Sequence, residues 1–231
     1  MMDILPNDDL LHGLAKKYSF KQLVYKNTAE TFKGFKAVMK KMSDDFRQKY
    51  RDDNPKVPFE FQDISEFEAE LKFGSDVLIF MMHSNVFEFS RDHEVMKTAY
   101  VREDPNRSYC GMIMIFNFLA DSFRYNRQND LGYLIGRVFI NNENHYFIEG
   151  KREIGLLYNN FQNAVMTPES AKQIIDSAIR YTVNFDLLTP PYDNVKVVTV
   201  GDMMSAIDSS RIRTAKRLGF RFQGDHEEFR S

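Results

Sequence analysis

The sequence predicts an α+β fold, a largely antiparallel sheet of about five to seven strands flanked by N-terminal and C-terminal helices. Three observations predict it. Phe32, Phe35, Met39, Met42 and Phe46 recur at helical spacing near the start, period-two alternation with short turns fills the middle, and a capped helical segment opens at Thr167. Strands grouped between helices, without a strict strand-helix alternation, separate this class from a doubly wound parallel sheet. The order of elements is compatible with PAS-like, GAF-like or profilin-like sensory folds, a likeness of architecture that carries no function by itself.

The elements follow in order. Asn7 is expected to cap a short helix reaching Leu14, and Thr28 a longer one that carries the Phe/Met stripe. The stripe spans about two heptads, too few for a long coiled coil, so the helix is expected to pack on the rest of the chain. Asp52-Asp53-Asn54-Pro55 ends it and sets a boundary near residue 54, between a helical segment, 1–54, and a sheet region, 55–231, of one continuous unit. Phe67, Ala69, Leu71 and Phe73 then alternate with charged residues as a strand, Gly74-Ser75-Asp76 turns the chain, and Val77 to Phe89 supplies the partner. Arg91 to Arg107 reads as a polar connection with one helical turn.

Tyr109 to Phe118 is a further strand, and Leu131 to Ile140 and His145 to Glu149 flank the hairpin loop Asn141-Asn142-Glu143-Asn144. Glu153 to Tyr158 is expected to add one strand. Thr167-Pro168-Glu169 combines a capping hydroxyl, a proline at the first helical position and an early acid, and Ala171, Ile174, Ile175, Ala178, Ile179, Thr182 and Phe185 give that helix its buried face. Val195 to Val200 is β-branched enough for a strand. Asp202 is expected to open a last helix that Gly219 ends, with a short strand at Phe220 to Phe222.

Composition sets bounds on function. With 31 Lys and Arg against 33 Asp and Glu, the net charge of -2 gives no global field for nucleic acid or membrane. Twenty-one Phe, 11 Tyr and 12 Met can build a large core or line an apolar pocket. One cysteine forbids an internal disulfide, and the acidic, proline-broken start has no export signal, so a cytoplasmic location is expected. No apolar run approaches the roughly 18 residues of a membrane span.

Charge is segregated along the chain. Residues 16–51 hold eleven bases against three acids, and residues 52–104 hold thirteen acids against five bases. Lys33, Lys36 and Lys40 share one helical flank that could meet phosphate, anionic lipid or an acidic protein, although the acidic stretch supplies counter-charge within the chain. Arg211, Arg213 and Arg217 form a second basic run, a candidate anion site or a solvated helix end.

The best enzyme-like spacing is Asp130 followed, across a hairpin, by Glu149-Gly150-Lys151. Two carboxylates and a lysine so placed resemble the Mg²⁺-dependent nuclease arrangement of the restriction-endonuclease type, in which the acids hold the metal and lysine steadies the attacking water. The spacing is cheap: Glu70-Leu71-Lys72 repeats it, Gly150 interrupts it, and Asn129 stands where a proline often precedes the first acid. The five histidines are scattered, phosphate-loop and nucleophile-elbow motifs are absent, and Cys110 lies in an apolar run where it reads as a buried small hydrophobe. No metal and no cofactor is predicted. The expected function is a non-catalytic ligand-sensing or protein-interaction module, with the Asp130/Glu149/Lys151 enzyme and nucleic-acid binding by the basic helix as alternatives.

Overall fold

A computed structural model describes residues 8–51, 57–128, 130–150, 160–185 and 191–201. Helix α1, Asp8–Lys49, is a single 42-residue helix where the sequence suggests two. Thr28 is a buried position on its packing face and not a cap, because the apolar stripe extends back through Val24 and the Thr28 hydroxyl donates to the Val24 carbonyl at 2.8 Å. That bond within the helix satisfies a hydroxyl that would otherwise break it. Asn7 and the boundary residues 52–56 lie outside the described residues.

The sheet contains β1 (Phe59–Ser65), β2 (Glu68–Phe73), β3 (Asp76–Met82), β4 (Phe87–Glu88), β5 (Tyr109–Leu119), β6 (Tyr133–Ile140) and β7 (Tyr146–Gly150). Six strands run in the spatial order β1-β2-β3-β5-β6-β7, β4 pairs with β5, and every pair is antiparallel. Short turns join β1 to β2, β2 to β3 and β6 to β7, as antiparallel neighbours allow. The β2–β3 turn uses Gly74 at φ +54°, a value that a side chain would disfavour. The β6–β7 turn is held by the buried Asn141, whose Oδ1 accepts from the Glu143 and His145 N–H groups at 2.9 and 3.0 Å. Strand β1 is missed by the sequence reading because it lies at the edge and its residues from Asp63 on are exposed, which removes the alternation.

One face of the sheet is closed by α1 and by α4, Pro168–Val183. Phe32, Phe35 and Met39 of α1, Ala171, Ile174, Ile175 and Ala178 of α4, and the inward residues of β2, β3, β5, β6 and β7 make one buried cluster. The cap on α4 is the expected one: Thr167 Oγ1 accepts from the Ser170 N–H at 3.1 Å. Helix α1 approaches β5 so closely that a Cβ on Gly111 would stand 2.1 Å from Thr28 Oγ1, which explains a glycine in the middle of a sheet. Ser43 of α1 ties the edge strand down, donating to the Phe59 carbonyl at 2.9 Å and accepting from the Phe61 N–H at 3.3 Å.

The opposite face is covered in parts: Val77 and Ile79 are buried toward one end, Met81 is exposed, and a connection roofs the other end. There the chain from residue 84 to 108 passes over the sheet through two 3₁₀ turns and α2, Ala99–Glu103. It buries Val95, Tyr100 and Val101 against Cys110, Met112, Phe139 and Phe161. Between β5 and β6 lies the short α3, Ala120–Arg124. The strand expected at Val195 to Val200 is not formed. Tyr192–Val195 is instead a helical turn, α5, and Val197, Val198 and Val200 are exposed, with no neighbouring strand to reward their β-branched chains. The expected strand at Glu153 to Tyr158 and the expected helix and strand after Asp202 lie outside the described residues. No helix among the described residues is long and apolar enough to cross a membrane.

Candidate functional site

The face opposite the helices carries a cavity with convergent polar groups. Strand β4 and the residues after it bring Phe87, Phe89 and His93 over Met112 of β5 and Phe139 of β6, enclosing about 230 Å³ above Cys110. The Phe89 and Phe139 rings stand 4.9 Å apart and tilted by 59°, the edge-biased contact that aromatic quadrupoles favour. His93 stacks on Phe89 at 4.6 Å.

Glu88 and Ser90 stand at the mouth, and three further polar side chains, His93, Arg137 and Glu149, are linked to one another. Arg137 and Glu149 are directly paired across β6 and β7, a register fixed by the hairpin loop. Glu149 Oε2 accepts from Arg137 Nη2, and Oε1 accepts from His93 Nε2 at 2.7 Å. His93 also caps the first 3₁₀ turn: its Nδ1 accepts from the Val95 N–H at 3.2 Å. An N–H can only donate, so Nδ1 must be the bare nitrogen and the imidazole proton sits on Nε2. Both nitrogens of His93 and both oxygens of Glu149 are therefore engaged. The guanidinium of Arg137 stands 5.5 Å over the Phe139 ring and is 42% exposed, leaving donors beyond the one that Glu149 takes.

A second polar cluster fixes the covering segment. The Tyr100 hydroxyl donates to Glu143 Oε2 at 2.6 Å and accepts from Asn141 Nδ2 at 2.9 Å. Arg107 Nε donates to Glu143 Oε1 at 3.1 Å, and its guanidinium lies 4.3 Å over the Tyr100 ring. The Tyr100 hydrogen bond, and then Arg107, hold the Glu143 carboxyl below the usual carboxylate range. Burial first, then Glu143, push the Tyr100 hydroxyl up. The cluster clamps α2 and the turn after it onto the β6–β7 hairpin.

The residues singled out in the sequence fall in separate places. Asp130 accepts from Ser122 Oγ at 2.7 Å and pairs with Arg127 at 3.6 Å. It precedes the start of β6. Glu149, facing Arg137, is in a different ion pair. Lys151 lies outside the described residues, as do Arg211, Arg213 and Arg217. Lys33 pairs with Glu30 at 2.8 Å, Lys36 reaches Asp63 of β1 at 2.5 Å and covers Phe32, and Lys40 is exposed. The counter-charge expected from the acidic stretch thus reaches Lys36. Among the described residues, no three His, Cys, Asp or Glu groups are placed to hold a metal ion.

The sequence reading missed Arg137 and His93. Counting outward from the hairpin loop would have set Arg137 opposite Glu149. His93 had no such signal, since it reaches Glu149 from a connection 56 residues earlier. Cys110 is buried as expected, and burial pushes its thiol up. No protein-family model, no curated protein and no solved structure matches the chain.

Proposed function

We propose that this protein is a non-catalytic small-molecule-binding module whose ligand enters the cavity between the 84–108 connection and the sheet. The observation that carries the reading is the pairing of an aromatic-walled cavity with a rim whose acid and histidine are already mutually satisfied. A pocket with apolar walls and a few oriented polar groups is the usual form of a ligand site. A general base needs a free lone pair near the reacting atom, and both His93 nitrogens are engaged. A thiol nucleophile needs a stabilised thiolate, and the surroundings of Cys110 favour the neutral form.

A thermal-shift screen of small metabolites tests the reading. A ligand at 100 times its Kd adds about 2.7 kcal/mol. For a domain of this size each kcal/mol is about 2–4 °C, so a true ligand should raise Tm by roughly 5–10 °C. Ser90→Trp, at an exposed rim position, should block the cavity and abolish that shift while leaving the unliganded Tm near the parent value. A stabiliser that acts equally on Ser90→Trp, or a broad screen with no stabiliser, would overturn the reading.

A further inference from the structure

The rim specifies what kind of molecule the cavity accepts, and this inference rests on the binding reading above. We infer that the ligand is a neutral, ring-sized apolar molecule bearing one hydrogen-bond acceptor, which is directed at the guanidinium of Arg137.

Size comes first. An apolar cavity of about 150 Å³ is known to take benzene. The volume here, about 230 Å³, leaves room for a ring and a few further atoms. The walls are the rings of Phe87, Phe89 and Phe139 with the thioether of Met112, surfaces that favour a flat apolar guest.

Charge balance decides the rest. Arg137 and Glu149 cancel, and His93 is neutral in the tautomer that its two bonds require. A carboxylate ligand would compete with Glu149 for one guanidinium, with Glu88 also at the mouth. An ammonium ligand would sit beside Arg137, opposed only by Glu88, which is exposed and already accepts from Tyr109. Either would give up hydration without gaining a buried counter-ion of its own, a costly exchange. A neutral ligand leaves the pair intact.

Hydrogen-bond capacity then fixes polarity. Guanidinium has five N–H donors. Among the described residues, Glu149 engages only Nη2 of Arg137. On the acceptor side each Glu149 oxygen already receives a bond, and Glu88, exposed at the mouth, accepts from Tyr109. The guanidinium thus holds the larger unused capacity, which is donor capacity, and a carbonyl, ether or hydroxyl oxygen on the ligand complements it.

Methionine-methyl NMR on the full chain separates the possibilities. Met112 lines the cavity and Met39, buried under the other face, is the internal control. Four ring-sized probes are titrated: acetophenone, toluene, benzoate and benzylammonium. Acetophenone should shift the Met112 methyl saturably, about tenfold more tightly than toluene, as expected for one bond to a charged donor. Both charged probes should bind more weakly than acetophenone, and Met39 should not respond. Arg137→Met should bring acetophenone to the affinity of toluene and leave toluene unchanged. Tighter binding of benzoate or benzylammonium would overturn the neutral-ligand assignment and keep the binding module. Equal affinity of toluene and acetophenone would overturn the acceptor. If no probe moves Met112, the binding reading itself fails. This ranking is read on the unaltered protein, so it stands even if Arg137→Met displaces the Met39 control.

Discussion

The two faces of the sheet are built from the same strands and differ in what they bury. Phe80 and Met81 are neighbours in β3; Phe80 points under α1 with no exposure, and Met81 points to the other face with 38%. The helix-packed face is one buried apolar cluster that joins two helices to β2, β3, β5, β6 and β7. The other face is roofed at one end by a connection of short turns, and there the polar rim and the cavity lie together. A sheet face that closes completely leaves no room for a ligand, so the proposed site lies where coverage is partial.

The largest effect should come from the closed face. Phe80→Ala removes a fully buried ring, and urea unfolding should show a loss of about 3–5 kcal/mol. A much smaller loss would mean that the helices repack over the gap and that the two faces are less distinct than their burial suggests.

The roof comes next. Tyr100→Phe removes the hydroxyl between Glu143 and Asn141, and it should cost about 1.5 kcal/mol at neutral pH. That is the low end for a bond to a charged group, in keeping with the 34% exposure of Glu143. The pH dependence sharpens the assignment. Glu143 has its carboxyl depressed in the folded state, first by Tyr100, so its contribution is present above the unfolded carboxylate range and is lost as pH falls through the folded value. The stability difference between the parent and Tyr100→Phe should therefore hold constant from pH 7 to pH 5 and shrink in more acid solution. A difference that does not shrink would place the stabilisation in ring packing alone.

The smallest effect belongs to the open face. Met81→Ala should change stability by less than about 0.5 kcal/mol, as for surface positions generally. A cost approaching that of Phe80→Ala would break the comparison, since it would show that something covers Met81 in solution.

Legibility in the sequence followed the same division. The closed face was readable because its constraint is periodic: Ala69, Leu71 and Phe73 alternate, and Phe32, Phe35 and Met39 repeat on a helix. The Thr167 cap was readable because its chemistry is local. Strand β1 was not, since an exposed edge imposes no alternation, and Val195 to Val200 misled because β-branched residues form a strand only beside a partner. The roof hid its turns in single capping side chains, His93, Thr98 and Asp104, amid polar sequence. The rim was the least legible, because its members come from a connection and two strands, and meet only once the register of β6 and β7 is set.

Cys110 gives the roof a measurable time axis. The thiol lies beneath the cavity, is 1% exposed and is kept protonated, so a thiol reagent cannot reach it or find the thiolate while the connection is seated. Labelling then proceeds only in the moments when residues 84–108 lift from the sheet, and its rate counts those openings. A molecule lodged in the cavity would slow that count in proportion to its occupancy. With one cysteine in 231 residues, the signal has a single source, and the protein reports the lifetime of its own closed state without an added probe.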